Sequence, residues 1–503
     1  MTETTLSRRR ALAMTAGLAT AAGMGASLAS AETVTEGWPG TMPDYDSFAT
    51  AVQSEAARWN IPGMTAAVLH NGERTLTSTG VTSLEYPSPV TPETRFQIGS
   101  ITKTFTATVV MALVDDGLLD LDTPVWEWIP DLPIQRPDDF ADLSLRHLFN
   151  HTTGFDGDYF FDEGDGDDAL ARSIARFDEV HPWTRPGEIV AYCNLGFGLA
   201  GRIVELVTGM VYEDVVTERI FAPLGMESAS FPSSEIATWP AASGHVLASR
   251  EAGYQIPRPW QLPHSVNAAG GIVSTIDDLL SYAEMHLNDG SLGGNRVISE
   301  ASAQEMRVPT SWLREPDEGY GVGWNIVDLD GVPLVNHGGA TNGFRAWLLT
   351  VPDHDFALAM LTNSDQGLHA TDAVETWALR HYLGIEKAER TGIESDPAEL
   401  DAVAGRYERH DATTDVWRVD DHLHIETQFA GDDEILVNTG WPIGDGVFID
   451  LNGAPHLSDH HFLEAPIFGE GDDLVVRPLL RYLGGLLAER TGDAPAGGPT
   501  VTG

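Results

Sequence analysis

The stretch from Phe96 to Val114 constrains the fold more than any other. After Ser100 it is apolar on nearly every face (Ile101, Phe105, Val109, Val110, Leu113), and helices apolar all round belong in a core. The pattern predicts a buried helix that opens at Ser100 and ends at Asp115, Asp116 and Gly117, with Gly117 suited to the left-handed C′ position. One turn separates Ser100 from Lys103, so hydroxyl and amine share a face. An amine held in apolar surroundings is driven towards its neutral form and can then take the hydroxyl proton. Free N–H groups at the helix N-terminus favour a developing oxyanion. A simpler reading makes Ser100 a cap and lets Lys103 reach out of the core. Composition weighs against it, because Lys103 and Lys387 are the only lysines and arginine supplies nearly all other cations. A chain that avoids lysine yet keeps one here needs an amine.

The length of 503 residues suggests two or three structural units. The 75 acidic and 29 basic residues leave a net charge of −46, which argues against nucleic acid as a partner. High acidity with scarce lysine resembles proteins of salt-loving organisms, in which molar salt relieves self-repulsion. The 42% hydrophobic content and 13 tryptophans weigh against a disordered acidic chain. Residues 1–31 read as a twin-arginine-type export signal, with Arg8, Arg9 and Arg10, a mildly apolar stretch and a small-residue cleavage site at Ala29–Ala31. Secretion without a stable membrane anchor follows as an expectation, since no later segment is long and apolar enough to span a bilayer. The sole cysteine, Cys193, permits no internal disulfide.

Residues 44–59 read as an amphipathic helix, and Met64–His70 with Arg74–Gly80 as a hairpin turning at Asn71 and Gly72. Residues 118–310 are expected to be mainly helical. Strands return at Gly321–Leu329, Val332–Asn336, Phe344–Val351 and Phe356–Thr362, with a turn at Pro352–Asp355 and a closing helix over 371–383. The expected fold class is α/β: one antiparallel sheet built from distant segments, flanked by helices, with a helical subdomain. A small all-β domain follows. Its strands fall near Asp415–Val419, His422–Thr427, Glu434–Asn438, Val447–Leu451 and Leu474–Arg477, around a core of Trp417, Phe429, Trp441 and Phe448. The boundaries expected are 32–395 for the first domain, 396–490 for the β-rich one, and a disordered tail over 491–503.

Two further stretches carry chemistry. Tyr192 sits where a strand gives way to a helix beginning near Asn194 and ending at Gly209. A phenol has a pKa near ~10, so it needs a nearby cation to act as a base at neutral pH, and Lys103 could be that cation. Asn194 is equally a good N-cap, and Tyr192 equally an ordinary half-buried aromatic. Later, His337, Gly338, Gly339 and Ala340 place two glycines at a strand, where a ligand can approach the backbone. A glycine-rich turn with a surface histidine is the plainer alternative.

Together these three stretches resemble the serine β-lactamase and penicillin-binding superfamily, above all class C β-lactamases, D-stereospecific peptidases and related esterases. The resemblance covers roughly residues 45–385 and takes in Leu145–Gly154, Ala269–Thr275 and His337–Pro352. It implies Ser100 as acylated nucleophile, Lys103 as its proton acceptor, Tyr192 as general base and then acid, and Asn194 as a substrate-positioning amide. His337, Gly338 and Gly339 would line the substrate, and the oxyanion hole would be the N–H groups of Ser100 and Ala340. Where many members of the superfamily have Lys-Thr-Gly, this chain has His337-Gly338-Gly339. The cation that helps hold a β-lactam carboxylate is thus missing, while esterases and some peptidases of the family have histidine there. The β-rich unit resembles the lipocalin-like domains that follow the hydrolase in some relatives, its Gly405–Glu408 matching their opening strand.

Other candidates are weaker. The acidic run Asp156–Asp168 fits no calcium-loop register and reads as a solvated loop. His422, His424, His456, His460 and His461 lack the spacing of a metal site. Cys193 reads as a small hydrophobe in the subdomain core. The expectation is an exported serine hydrolase that acts through an acyl-enzyme on a small acyl substrate, most simply an ester, and needs no cofactor or metal. The alternatives are a D-amino-acid peptidase or weak β-lactamase, and a non-catalytic ligand sensor. The natural substrate and oligomeric state stay open.

Overall fold

The computed structural model describes residues 44–495, apart from 233–235, 237, 250–251, 315–316, 388–391, 431–434, 445–446, 450–459, 469–473 and 483–485. The export signal expected at 1–31, His456 and the tail beyond 495 lie outside the described residues. The chain forms two compact units. Among the described residues, one comprises 44–246 with 256–387, and the other 392–495 with 247–249 and 252–255.

In the larger unit, the local signals set the element ends. Ser47 caps α1 (Phe48–Arg58), its hydroxyl accepting from the Thr50 N–H at 3.2 Å, so the helix starts later than 44. Strands β1 (Gly63–His70) and β2 (Glu73–Gly80) form the expected hairpin. Asn71 and Gly72 turn it with φ of 52° and 76°, the left-handed pair that matches strand twist. Helix α2 (Thr102–Asp115) is buried from Thr102 to Leu113, and Gly117 at φ 72° ends it. Helix α3 (Asn194–Thr208) stops at Gly209, also left-handed. Helix α4 (Ile276–Leu287) is capped by Thr275.

The sheet is completed by β3 (Ser311–Arg314), β4 (Glu318–Tyr320), β5 (Asn325–Leu329), β6 (Val332–Thr341), β7 (Phe344–Val351) and β8 (Phe356–Thr362), with α5 (Gly367–Ala378) following. Its order is β2-β1-β8-β7-β6-β5-β4-β3, so the early hairpin joins the late strands, Met64 facing Thr362. All seven residues of β8 are buried, as befits a central strand covered on both faces. Helix α4 packs on β1, β7 and β8, while α5 packs on α1, β7 and β8. Three expectations are corrected. The strand expected over 321–329 begins at Asn325, because Gly323 takes a left-handed φ of 76° and breaks it. Strands β3 and β4 were not legible. Strand β6 runs five residues past Asn336, through both glycines.

The second unit is a closed eight-stranded barrel: β9 (Gly405–Arg409), β10 (Ala412–Val419), β11 (His422–Phe429), β12 (Ile435–Gly444), β13 (Val447–Ile449), β14 (His460–Phe468), β15 (Leu474–Tyr482) and β16 (Leu486–Gly492). Strand β16 pairs with β9 to close the ring, and it carries the fold two residues into the segment expected as a tail. Leu400, Tyr407, Val416, Leu423, Ile425, Phe448, Leu480 and Ala488 form its core. Of the expected aromatic core only Phe448 belongs there, with Phe429 packed against it. Strand alternation turns Val416 inward and therefore Trp417 outward, where its N–H donates to the Pro495 carbonyl at 3.2 Å. Trp441 stacks on His422 instead.

Candidate active site

Ser100 does not open the α-helix itself. It lies in a 3₁₀ turn, Gly99–Ile101, directly before α2. A two-residue ladder between Phe96–Gln97 and Val273–Ser274 delivers the chain to that turn. The turn sits against β6 so tightly that each side needs a glycine. A Cβ on Gly99 would lie 2.6 Å from the Ala340 nitrogen, and one on Gly339 would lie 1.9 Å from the Ile98 carbonyl oxygen. Gly339 is therefore required by the chain's own backbone, not by a ligand as its sequence suggested. The contact sets the turn that carries Ser100 directly against Ala340.

Lys103, in the first turn of α2, is fully buried, with Nζ 3.0 Å from Ser100 Oγ and donating to the Ala269 carbonyl at 2.8 Å. Burial pulls its pKa down to about 7, against a smaller upward pull from Cys193 and Asp158. A large fraction of the amine is thus neutral at physiological pH. Its Nζ also lies 5.0 Å from the centre of the Tyr192 ring.

Tyr192 is held from both sides by His151. The His151 carbonyl accepts from the Ala191 N–H at 2.8 Å, its Nδ1 accepts from the Cys193 N–H at 3.0 Å, and its ring stacks on the phenol at 4.4 Å between centres. Burial keeps the imidazole neutral, its pKa well below the usual range. The Tyr192 hydroxyl faces Ser100 but completes no hydrogen bond. Burial pushes the phenol above its usual pKa. In the free protein the phenol stays protonated while the lysine is partly neutral, the reverse of the arrangement in which a Lys103 cation lowers the phenol's pKa.

Cys193, not Asn194, is the N-cap of α3, its sulfur accepting from the Gly196 N–H at 3.1 Å. Burial raises its thiol to about 12, which suits an inert core residue. Asn194 is freed to donate its amide to Asp158 at 3.0 Å. Asp156 and Asp158 are both buried rather than solvated. Their loop packs on the Tyr192–Asn194 stretch so closely that a Cβ on Gly157 would meet the Cys193 Cα at 2.3 Å.

His337 is buried on β6, not on the surface. Its Nδ1–H donates to the Gly338 carbonyl at 2.6 Å, its ring centre lies 6.5 Å from that of Tyr192, and its Nε2 has no partner. Burial, with Lys103 adding to it, lowers its pKa to about 3, so the ring is neutral and Nε2 is a pure acceptor. A Cβ on Gly338 would meet only the edge of Trp347, at 3.3 Å. The structure thus brings together Ser100, Lys103, Tyr192, Asn194, His337 and Ala340. It adds His151 and Asp158. His151 was legible only as part of a family-like segment, and Asp158 was hidden in an acidic run that gave no sign of burial. No group of three metal-ligating side chains occurs among the described residues. Nor is any single helix there long and apolar enough to cross a membrane.

A helix-flanked antiparallel sheet with a buried serine and lysine packed beside β6 is the arrangement of a serine hydrolase. The chain belongs to the beta-lactamase family: residues 48–381 match the family described as Beta-lactamase. It is 33% identical over 361 residues to penicillin-binding protein 4 of Amycolatopsis lactamdurans, covering 70% of this chain and 94% of that one. Among solved structures it resembles SurE with D-Leu at 25% identity, with a TM-score of 0.68 and coverage of 88% of this chain and 99% of that one. It also resembles the D-amino acid amidase of Ochrobactrum anthropi SV3 at 26% identity, with a TM-score of 0.55 and coverage of 65% and 97%.

Proposed function

We propose that the protein cleaves esters or related acyl compounds through an acyl-enzyme on Ser100. The observation that carries this is a fully buried lysine with a pKa of about 7 lying 3.0 Å from the serine hydroxyl. Neutral Lys103 takes the Ser100 proton as Oγ bonds to the acyl carbon. The oxyanion forms against the Ser100 and Ala340 N–H groups. Tyr192 passes a proton to the leaving group as its bond to the acyl carbon breaks. A water then attacks the acyl carbon as it gives a proton to the Tyr192 oxygen. The bond to Ser100 breaks and Oγ takes back its proton from Lys103, which releases the acid and restores both groups. Asn194 and His337 border the substrate. Intact-protein mass after exposure to a fluorophosphonate is the test: one adduct on the native protein and none on Ser100→Ala are expected, and labelling of both would remove Ser100 from the reaction.

The likeness to SurE with D-Leu and to a D-amino acid amidase supports a second reading, in which the acyl group is a D-amino acid. His337 in place of a cation speaks against efficient β-lactam turnover. The reading includes export by the twin-arginine route, supported by Arg8–Arg10 and Ala29–Ala31. A reporter fused after residue 43 should leave the cytoplasm only while the arginines are intact. Adaptation to brine is supported by the charge of −46.

A further inference from the structure

We propose that the cleft takes an acyl donor bearing a protonated amine beside its scissile carbonyl, and that Asp158 is the carboxylate that holds the ammonium. This rests on the acyl-enzyme reading and names its substrate class.

The 156–158 loop is fixed to the catalytic stretch by its backbone. The Gly157 carbonyl accepts from the Asn194 and Leu195 N–H groups, both at 3.0 Å, and the Asp158 N–H donates to Asp156 Oδ1 at 3.2 Å. Asp158 is thereby placed next to Asn194, whose amide donates to its Oδ1 at 3.0 Å. Its exposure of 3% compares with 7% for Ser100, 6% for Tyr192 and 5% for His337, so the carboxylate is at least as buried as the reacting groups. The carboxylate is close enough to the reacting groups to raise the pKa of both Lys103 and Tyr192.

A second observation points to the same ligand. His337 Nε2 is a buried acceptor without a partner, its proton committed to Nδ1 and the Gly338 carbonyl. The cleft therefore presents a carboxylate and an imidazole acceptor around a lysine that is partly neutral. An ammonium offers three donors and a positive charge, which this set can receive. A substrate carboxylate would meet Asp158 with like charge.

The test compares alanine p-nitroanilide, in each enantiomer, with its N-acetyl and N-succinyl derivatives. At pH 7 the free amine of the accepted enantiomer should exceed the N-acetyl compound in kcat/KM by roughly 10- to 100-fold, the range of a charge-assisted hydrogen bond. The N-succinyl compound should be slowest. The advantage should fade as pH rises through the amine's own pKa. Asp158→Asn should collapse the ratio towards one. A purely structural Asp158 would instead slow all substrates alike and leave the ratio unchanged. Should that variant not fold, the pH dependence of the native ratio decides alone. A native enzyme that labels with a fluorophosphonate but does not favour the free amine overturns this inference only. Failure to label Ser100 overturns the acyl-enzyme reading instead.

Discussion

The chain keeps two lysines and treats them in opposite ways. Lys103 is buried beside a serine and a carbonyl, and its pKa falls to about 7. Lys387 is also largely buried, but its Nζ lies 2.9 Å from Glu375 and 3.5 Å from Asp372. Burial alone would lower its pKa; the two carboxylates outweigh that and raise it. Partners, not depth, separate a lysine that can lose its proton from one that holds it. One lysine is left short of counter-charge so that it can lose its proton, and the other is given two carboxylates so that it cannot.

Removing each amine should separate the two roles. Lys103→Met or Lys103→Arg should lower kcat/KM by roughly 10²–10⁴-fold, the usual span for a general base, because methionine cannot accept a proton and arginine is always charged. Thermal unfolding should show Lys103→Met no less stable than the native protein, since a poorly paired buried amine is itself costly. Lys387→Met should do the converse. Stranding two buried carboxylates should cost roughly 3–5 kcal/mol in denaturant unfolding, with kcat of the folded enzyme intact. The linkage sign agrees. Lys387 has a folded pKa above its unfolded one, so its contribution is full at neutral pH and is lost only as pH rises through that folded value.

A pH profile sharpens the contrast further. The folded pKa of Lys103 is depressed, so its neutral form gains as pH rises, and kcat/KM should climb about tenfold per unit below roughly 7 and level above it. A limb near 10 would mean an ordinary lysine. His151→Phe keeps an aromatic face against Tyr192 but removes the acceptor for the Cys193 N–H. It should lower kcat by roughly tenfold, the worth of one buried hydrogen bond, with little change in KM. The smallest effect should come from salt. A surface this acidic should gain a few degrees in Tm between low and molar salt, and a flat curve would count against adaptation to brine.

The contrast between the lysines was half legible in the sequence. Lys103 stood out because an apolar helix carried it one turn after a serine. Lys387 did not, because its partners Glu375 and Asp372 lie on a helix whose turn towards it only the fold supplies. The same divide runs through the site. Ser100 and Lys103 were singled out by local pattern and Tyr192 by the family resemblance, and the sheet by apolar runs such as Phe344–Val351 and Phe356–Thr362, whose ends the structure reproduces. Gly339 was recognised as special but for the wrong neighbour, since Ile98 lies far away in sequence. Asp158 was obscured because charge in a sequence reads as solvent-facing unless a tertiary contact buries it. In the barrel, alternation was visible, but which face of β10 pointed inward was not, and Trp417 was misplaced for that reason.

With only two lysines, the central claim is open to direct titration. Protein grown with lysine labelled at Cε and Nζ should give two side-chain NMR signals. One should titrate with a midpoint near 7 and vanish in Lys103→Met, while the other stays protonated beyond pH 10 and vanishes in Lys387→Met. Two signals that both remain protonated to pH 9 would contradict the account, because Lys103 could then not be the base that activates Ser100.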